Sequence, residues 1–219
     1  MDLKGENRIF VKEGLQMLER TRNPGLRSLI ECTGLADKTI SAYHIGFVLG
    51  PCLNASGRLD TAKRALRLLE AKTRKEADQL DHGDLKALND SRKEMTEKAV
   101  KEAELMVEAS ALKEDRVLVI YLPDCHESLA GIVAGRIRER YYKPAFVLTN
   151  ASEGLKGSGR SIEAYSMYEE LSRCKDLLMR FGGHRQAAGL SMKRENLESF
   201  RKMINDYCTL TPKDLTEKW

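Results

Sequence analysis

The sequence predicts an α/β chain: an N-terminal helical segment over 1–72, a long connecting helix over 73–113, and a mixed sheet flanked by helices over 114–211. Three observations predict it. Apolar residues recur at helical spacing through the first third of the chain. Residues 73–110 are densely charged and nearly free of breakers. Beyond residue 114, apolar β-branched runs alternate with helical stretches, as in an α/β module.

In the first part, Val11, Leu15 and Leu18 share a helical face that ends at "RNPG". Leu26, Leu29 and Ile30 form a second face, closed by Gly34. A third helix is expected after Asp37, through Ile40, Tyr43, Phe47 and Val48, until Gly50-Pro51 stops it. "CLNASGR" then reads as a loop, and Asp60 or Thr61 as the cap of a helix with Ala62, Leu66 and Leu69 on one face. In the connector, Leu80, Leu88, Met95, Ala99, Ala103 and Met106 make a sparse apolar stripe, with an expected kink at Gly83.

"VLVIYL" (Val117 to Leu122) is continuous enough for a strand buried on both faces. A helix follows over about 128–141, with Ala130, Gly131, Ala134 and Gly135 as a small-residue side. "AFVLTN", "LKGSGRS" and "AAGLSM" read as further strands, and helices are expected near Tyr165–Leu171 and Glu195–Cys208.

A formal charge of +4 with 32% charged residues permits a polyanionic partner without requiring one. Aromatics at 6% speak against a broad base-stacking platform. No apolar run approaches the roughly 20 residues that cross a bilayer, so no membrane partner is expected. The polar opening "MDLKGENRIF" is no signal peptide, and it reads as though something preceded it. Five cysteines without a C-x-x-C pair suggest reduced thiols and a cytoplasmic protein.

Three loops carry the chemistry. In "FGGHRQAAGL" (Phe181 to Leu190), Gly182 and Gly183 let a ligand approach the main chain, and His184 adds a directed donor or acceptor. The plainer reading is a tight turn with a histidine satisfied by a neighbour. In "GSGRS", Ser158 and Arg160 stand two apart, on one face of a strand. A hydroxyl beside a guanidinium suits a phosphate, whereas a flexible loop would leave the same residues merely exposed. "NASGR" sets Asn54 and Arg58 just before a capped helix, as an anion site or an ordinary helix entry.

Cys125, His126 and Glu127 follow a strand, where α/β proteins place ligands. With His184 they lack metal-ligand spacing, so His126 is better read as a substrate contact. His44 is expected to be structural and His82 solvated. There is no G-x-S-x-G, P-loop, H-E-x-x-H or aspartate–histidine cluster for two metals. The residues alone therefore deliver a phosphate receptor without a chemical engine, and no metal or catalytic residue is assigned in this chain.

"FGGHRQAAGL" resembles the GGHxxAAG signature of the DHHA1 domain, the substrate-binding half of DHH-family phosphoesterases. "LKGENRIFVKEGL", "GPCLNASGRLDTAKRALRLLEA", "ALNDSRKEMTEKAV", "CHESLAGIVAGRIRERYYKPAFVL" and "GSGRSIEAYSMYEEL" are similar, in order, to the branch of single-strand-specific exonucleases. The resemblance implies a 5′–3′ exonuclease of DNA repair and recombination using Mn²⁺ or Mg²⁺. The metals would be held by an N-terminal DHH domain whose ligands precede a stretch like "LKGENR", so this chain alone should be inactive. It further implies that Arg58, Ser158 and Arg160 meet the 5′ phosphate, that Gly182, Gly183 and His184 line the same cleft, and that His184 and His126 support the reaction. Single-stranded DNA is the implied partner, with helicase or single-strand-binding proteins beside it. One departure is Cys52, where relatives often carry Arg, which puts a positive charge in doubt. Three other readings stay open: an oligoribonuclease or cyclic-dinucleotide phosphodiesterase of the same family, a non-catalytic single-strand-binding module, and an interaction scaffold.

Overall fold

The run Val117–Leu122 is buried as its composition requires, except for the half-buried Tyr121. Its strand β1 (Leu118–Tyr121) pairs in parallel with β2 (Ala145–Ala151), and β3 (Gly154–Arg160), β4 (Arg180–His184) and β5 (Ala187–Met192) complete a sheet of order β1-β2-β3-β5-β4. Every other pairing is antiparallel, so the sheet is mixed. The structure, a computed structural model, describes residues 3–81 and 83–216; His82 lies outside the described residues. The chain divides into two compact units, Met1–Lys93 and Glu94–Trp219.

The first unit is helical: α1 (Glu6–Glu19), α2 (Pro24–Cys32), α3 (Ala42–His44), α4 (Gly50–Leu59), α5 (Ala62–Glu70), α6 (Arg74–Asp81) and the start of α7 (Asp84–Glu108). Leu29, Leu35, Ile40, Leu49, Leu68 and Leu85 anchor its core. α2 ends at Gly34, whose φ of 72° suits a left-handed cap, and Thr61 caps α5 by accepting from the Lys63 N–H.

Three expectations need correction here. Gly50-Pro51 does not stop the third helix. A π-helical turn (Ile45–Leu49) joins α3 to α4, so "CLNASGR" is helix and not loop. Proline lacks an N–H and crowds the turn before it. The wider π turn removes that conflict, with the Gly50 N–H donating back to the Ile45 carbonyl. A β-carbon on Gly50 would stand 2.7 Å from that oxygen. On α5 the buried residues are Ala65 and Leu68, while Leu66 is 54% exposed. Periodicity finds two apolar faces there, and packing of α2 selects the second. The connector is two helices: Gly83, at φ 88°, separates α6 from α7. The buried side of α7 includes Asn89 and Thr96 beside Leu85, Ala99, Ala103 and Val107, while Met95 is exposed. Polar members hid that stripe from a search for apolar spacing.

In the second unit the sheet lies between helical layers. Ala99, Ala103 and Val107 of α7, with Val133, Ala134 and Ile137 of α8 (Ala130–Tyr141), cover Leu118, Ile120, Ala145 and Val147. On the opposite side, α9 (Met167–Arg173) and α10 (Leu197–Asp206) bury Val119, Phe146, Leu148, Leu155 and Leu190. "FGGH", readable as a turn, is strand β4 at the sheet edge; it pairs residue by residue with β5 from Arg180↔Ser191 to His184↔Ala187. Glycine disfavours strands intrinsically, and here the ladder overrides that preference.

Candidate nucleic-acid interface

Alternation divides β3 into two functions. Gly157 and Gly159 face the α9/α10 side. A β-carbon on Gly159 would come within 2.6 Å of the Phe146 ring and 2.9 Å of the Met167 sulfur. These glycines answer to packing. Lys156, Ser158 and Arg160 project from the other face.

Register extends that face across the sheet. Residues opposite one another in a ladder share a face. Three rows result: Arg160–Ala187–His184, Ser158–Gly189–Gly182 and Lys156–Ser191–Arg180. In this unit α8 covers the β2–β3 side, and Gly182, His184, Arg180 and Gly189 stay exposed on β4 and β5. The glycines in the middle row are not demanded by backbone or crowding. A β-carbon on Gly182 would meet nothing within 4 Å, and one on Gly189 would meet only the Gly157 carbonyl at 3.9 Å. Neither has a left-handed φ. Their effect is a bare floor where a ligand can reach main-chain atoms. Gly183 differs: at φ 150° its β-carbon would overlap the Ala187 carbonyl oxygen and lie 2.5 Å from Ala188 Cα. It shapes the hairpin.

The small-residue side of α8 splits as well. Ala130 and Ala134 are buried in the core. Gly131 lies over Arg160 and Ser158: a β-carbon there would be 2.8 Å from Arg160 Nη2 and 3.4 Å from Ser158 Cβ. The Arg160 Nη1 donates to the Gly159 carbonyl at 2.8 Å. Arg160 and Ser158 thus converge beneath the first turn of α8. His184 sits in Arg160's row two strands away, about 10 Å by strand spacing. Its Nδ1 accepts from the Gln186 N–H at 3.2 Å, so the neutral ring carries its proton on Nε2.

The "DCHES" residues are committed locally. His126 Nδ1 is 2.8 Å from Ser128 Oγ and caps the 3₁₀ turn before α8. Glu127 pairs with Lys156 at 2.9 Å. Burial pushes the Cys125 thiol up, which disfavours the thiolate a metal needs. Among the described residues no three His, Cys, Asp or Glu side chains are grouped to hold a metal ion. The described residues therefore do not fit a Mn²⁺ or Mg²⁺ site.

Asn54 and Arg58 belong to the first unit. Both are exposed and stand one helical turn apart on α4. Cys52 is 1% exposed and belongs to that unit's core. His44 is structural: its Nδ1 accepts from the Ser41 N–H at 3.0 Å and closes a capping box. Sequence reasoning missed Lys156, Arg180 and Gly189. Alternation from Ser158 reaches Lys156, but the other two become visible only once "FGGH" is paired as a strand.

None of the helices among the described residues is long and apolar enough to cross a membrane. Residues 114–210 match the family described as the DHHA1 domain. The chain is 37% identical over 216 residues to the single-stranded-DNA-specific exonuclease RecJ of Bacillus subtilis, covering 97% of this chain and 27% of that protein. To RecJ of Escherichia coli it is 35% identical over 216 residues, 94% of this chain and 37% of that protein. It superimposes on RecJ of Thermus thermophilus in complex with Mg²⁺ with a TM-score of 0.82, at 34% identity, covering 94% of this chain and 32% of that one. A manganese-bound exonuclease RecJ gives a TM-score of 0.83 at 33% identity, covering 97% of this chain and 52% of that one. The chain thus spans well under half the length of the curated relatives named here. Over residues 114–210 the chain thus matches the DHHA1 domain, and over nearly all its length it is similar to a part of the RecJ exonucleases.

Proposed function

We propose that this chain holds the 5′-phosphorylated end of a single DNA strand within a 5′–3′ single-strand-specific exonuclease of repair and recombination, in the cytoplasm. The observation that carries the reading is the convergence of Ser158 and Arg160 beneath Gly131, beside the open floor of Gly182 and Gly189. A guanidinium grips phosphate through paired donors, the serine hydroxyl adds another, and the bare floor lets the sugar–phosphate chain lie close against the sheet. His184 offers an Nε2–H from the same row, and Asn54 and Arg58 on α4 are further phosphate contacts. Such contacts fix register without reading bases, so binding is independent of sequence. The relatives' structures contain Mg²⁺ or Mn²⁺; the contribution assigned to this chain is positioning. Helicases or single-strand-binding proteins would act as partners on the same strand.

Arg160→Ala tests the reading. A loss of about 1.5–3 kcal/mol in affinity for a 5′-phosphorylated oligothymidylate is expected, the range for a charged hydrogen bond. Equal affinity of variant and parent in fluorescence anisotropy, with unchanged thermal melting, would refute it.

A further inference from the structure

Beyond Ser158, in the direction away from Arg160, the bare face opens into a groove of about 420 Å³. Its walls include Lys156, Arg180, Ser158 and Ser191, and Gly189 lies on its floor. The first row, with Arg160 and His184, and the third, with Lys156 and Arg180, are four residues apart along β3, about 13 Å by strand rise. One phosphate group does not bridge that span, whereas successive phosphates of an extended strand do.

The charges in the groove are available. Arg180 is exposed, and no hydrogen bond or ion pair engages its guanidinium among the described residues. The hydroxyls of Ser158 and Ser191 are likewise without a side-chain partner there. Lys156 is bound to Glu127 at 2.9 Å, but both side chains are about half exposed, at 57% and 49%. Surface pairs of that kind are worth little and exchange readily for a stronger anion. Among the described residues, Glu153 is the one acidic side chain on the groove's lining.

We infer that the Lys156/Arg180/Ser191 groove is a second phosphate subsite, so that the face takes a strand of several nucleotides and not a lone terminal phosphate. The inference rests on the reading of Ser158 and Arg160 as the seat of the strand end, and it names what that seat continues into.

The test is Arg180→Gln in this chain, with thymidine 5′-monophosphate followed by NMR titration and 5′-phosphorylated oligothymidylates of rising length by anisotropy. For the longest oligomer a roughly tenfold loss of affinity is expected. The slope of log affinity against log salt should fall by about 0.7, as for one lost contact to a single strand. The mononucleotide should bind as before. Equal affinity and slope for every oligomer would overturn the subsite, and so would a loss as large for the mononucleotide as for the longest oligomer. Arg160→Ala, measured alongside, separates the two ideas. If it weakens binding and Arg180→Gln does not, the subsite alone fails. If only Arg180→Gln acts, the groove stands and the assignment of the strand end to Arg160 fails.

Discussion

The Arg160 guanidinium occupies space that a side chain on Gly131 would fill: Nη2 lies 2.8 Å and Cζ 3.3 Å from the position of a β-carbon there. Helix α8 and strand β3 are thus fitted together around one charged group, and the absent side chain on the helix is what lets the arginine lie beneath its first turn. Gly131→Ala should therefore act on Arg160 before it acts on the fold, because the obstructing atoms are the far end of a flexible side chain. The expected outcome is a melting temperature close to the parent's with affinity for a 5′-phosphorylated oligonucleotide reduced severalfold, on the order of 1 kcal/mol. Calorimetry and anisotropy on the same preparation check it. A variant that melts early and binds normally would show that Gly131 serves packing only.

Adjacent glycines in β4 should respond in opposite ways. Gly183 needs φ 150° and has Ala187 and Ala188 backbone atoms where a β-carbon would go. Backbone does not move aside cheaply, so Gly183→Ala should cost at least about 2 kcal/mol of unfolding free energy. Gly182→Ala meets nothing within 4 Å and should leave urea unfolding nearly unchanged, while raising the floor under a bound strand and weakening binding. Similar destabilisation by both substitutions would contradict the division of labour between them.

How much of this was legible in the sequence depends on which forces decide each element. β1, β2 and α8 follow from local composition, because a β-branched run and a breaker-free helical stretch behave alike in any α/β setting. β4 does not: "RFGGH" has poor strand propensity, and only its full ladder with β5 holds it extended. The path through Gly50-Pro51 was hidden for the opposite reason, since the breaker is real but a π turn absorbs it. At the candidate site, the Ser158/Arg160 spacing was readable as a shared face. Arg180 and Gly189 were not, because their place beside Ser158 exists only through cross-strand register. The small-residue side of α8 was visible as a pattern, but its reason, room for Arg160, needed the coordinates.

The π turn makes its own prediction. Gly50 approaches the Ile45 carbonyl so closely that a β-carbon would stand 2.7 Å from the oxygen. The obstructing atom is backbone, so Gly50→Ala should break the donation from the Gly50 N–H and destabilise the first unit by about 1–3 kcal/mol. Hydrogen exchange is the sensitive measurement. Protection should fall along α3 and α4 and persist in β2 and β3 of the second unit. Unchanged protection along α4 would mean the turn tolerates a side chain.

Burial also sets a pH dependence. The Cys174 thiol, 1% exposed among Met167, Leu171 and Phe200, is pushed up to about 11, from an ordinary value near 9. Desolvation is the main cause, with Glu170 adding to it. Between those values the folded chain keeps a proton that the unfolded chain has released. Stability from this group is therefore complete below about pH 9 and is lost as pH rises toward 11. Tyr165 and Cys208 are shifted in the same direction by burial and steepen the loss. Cys174→Ala removes one of these titrations at the cost of a small cavity. Guanidinium unfolding at pH 8 and pH 10.5 should show a smaller alkaline loss in the variant than in the parent, even though the variant starts lower. If both lose the same stability over that interval, the Cys174 thiol ionises as easily folded as unfolded, and burial is not what governs it.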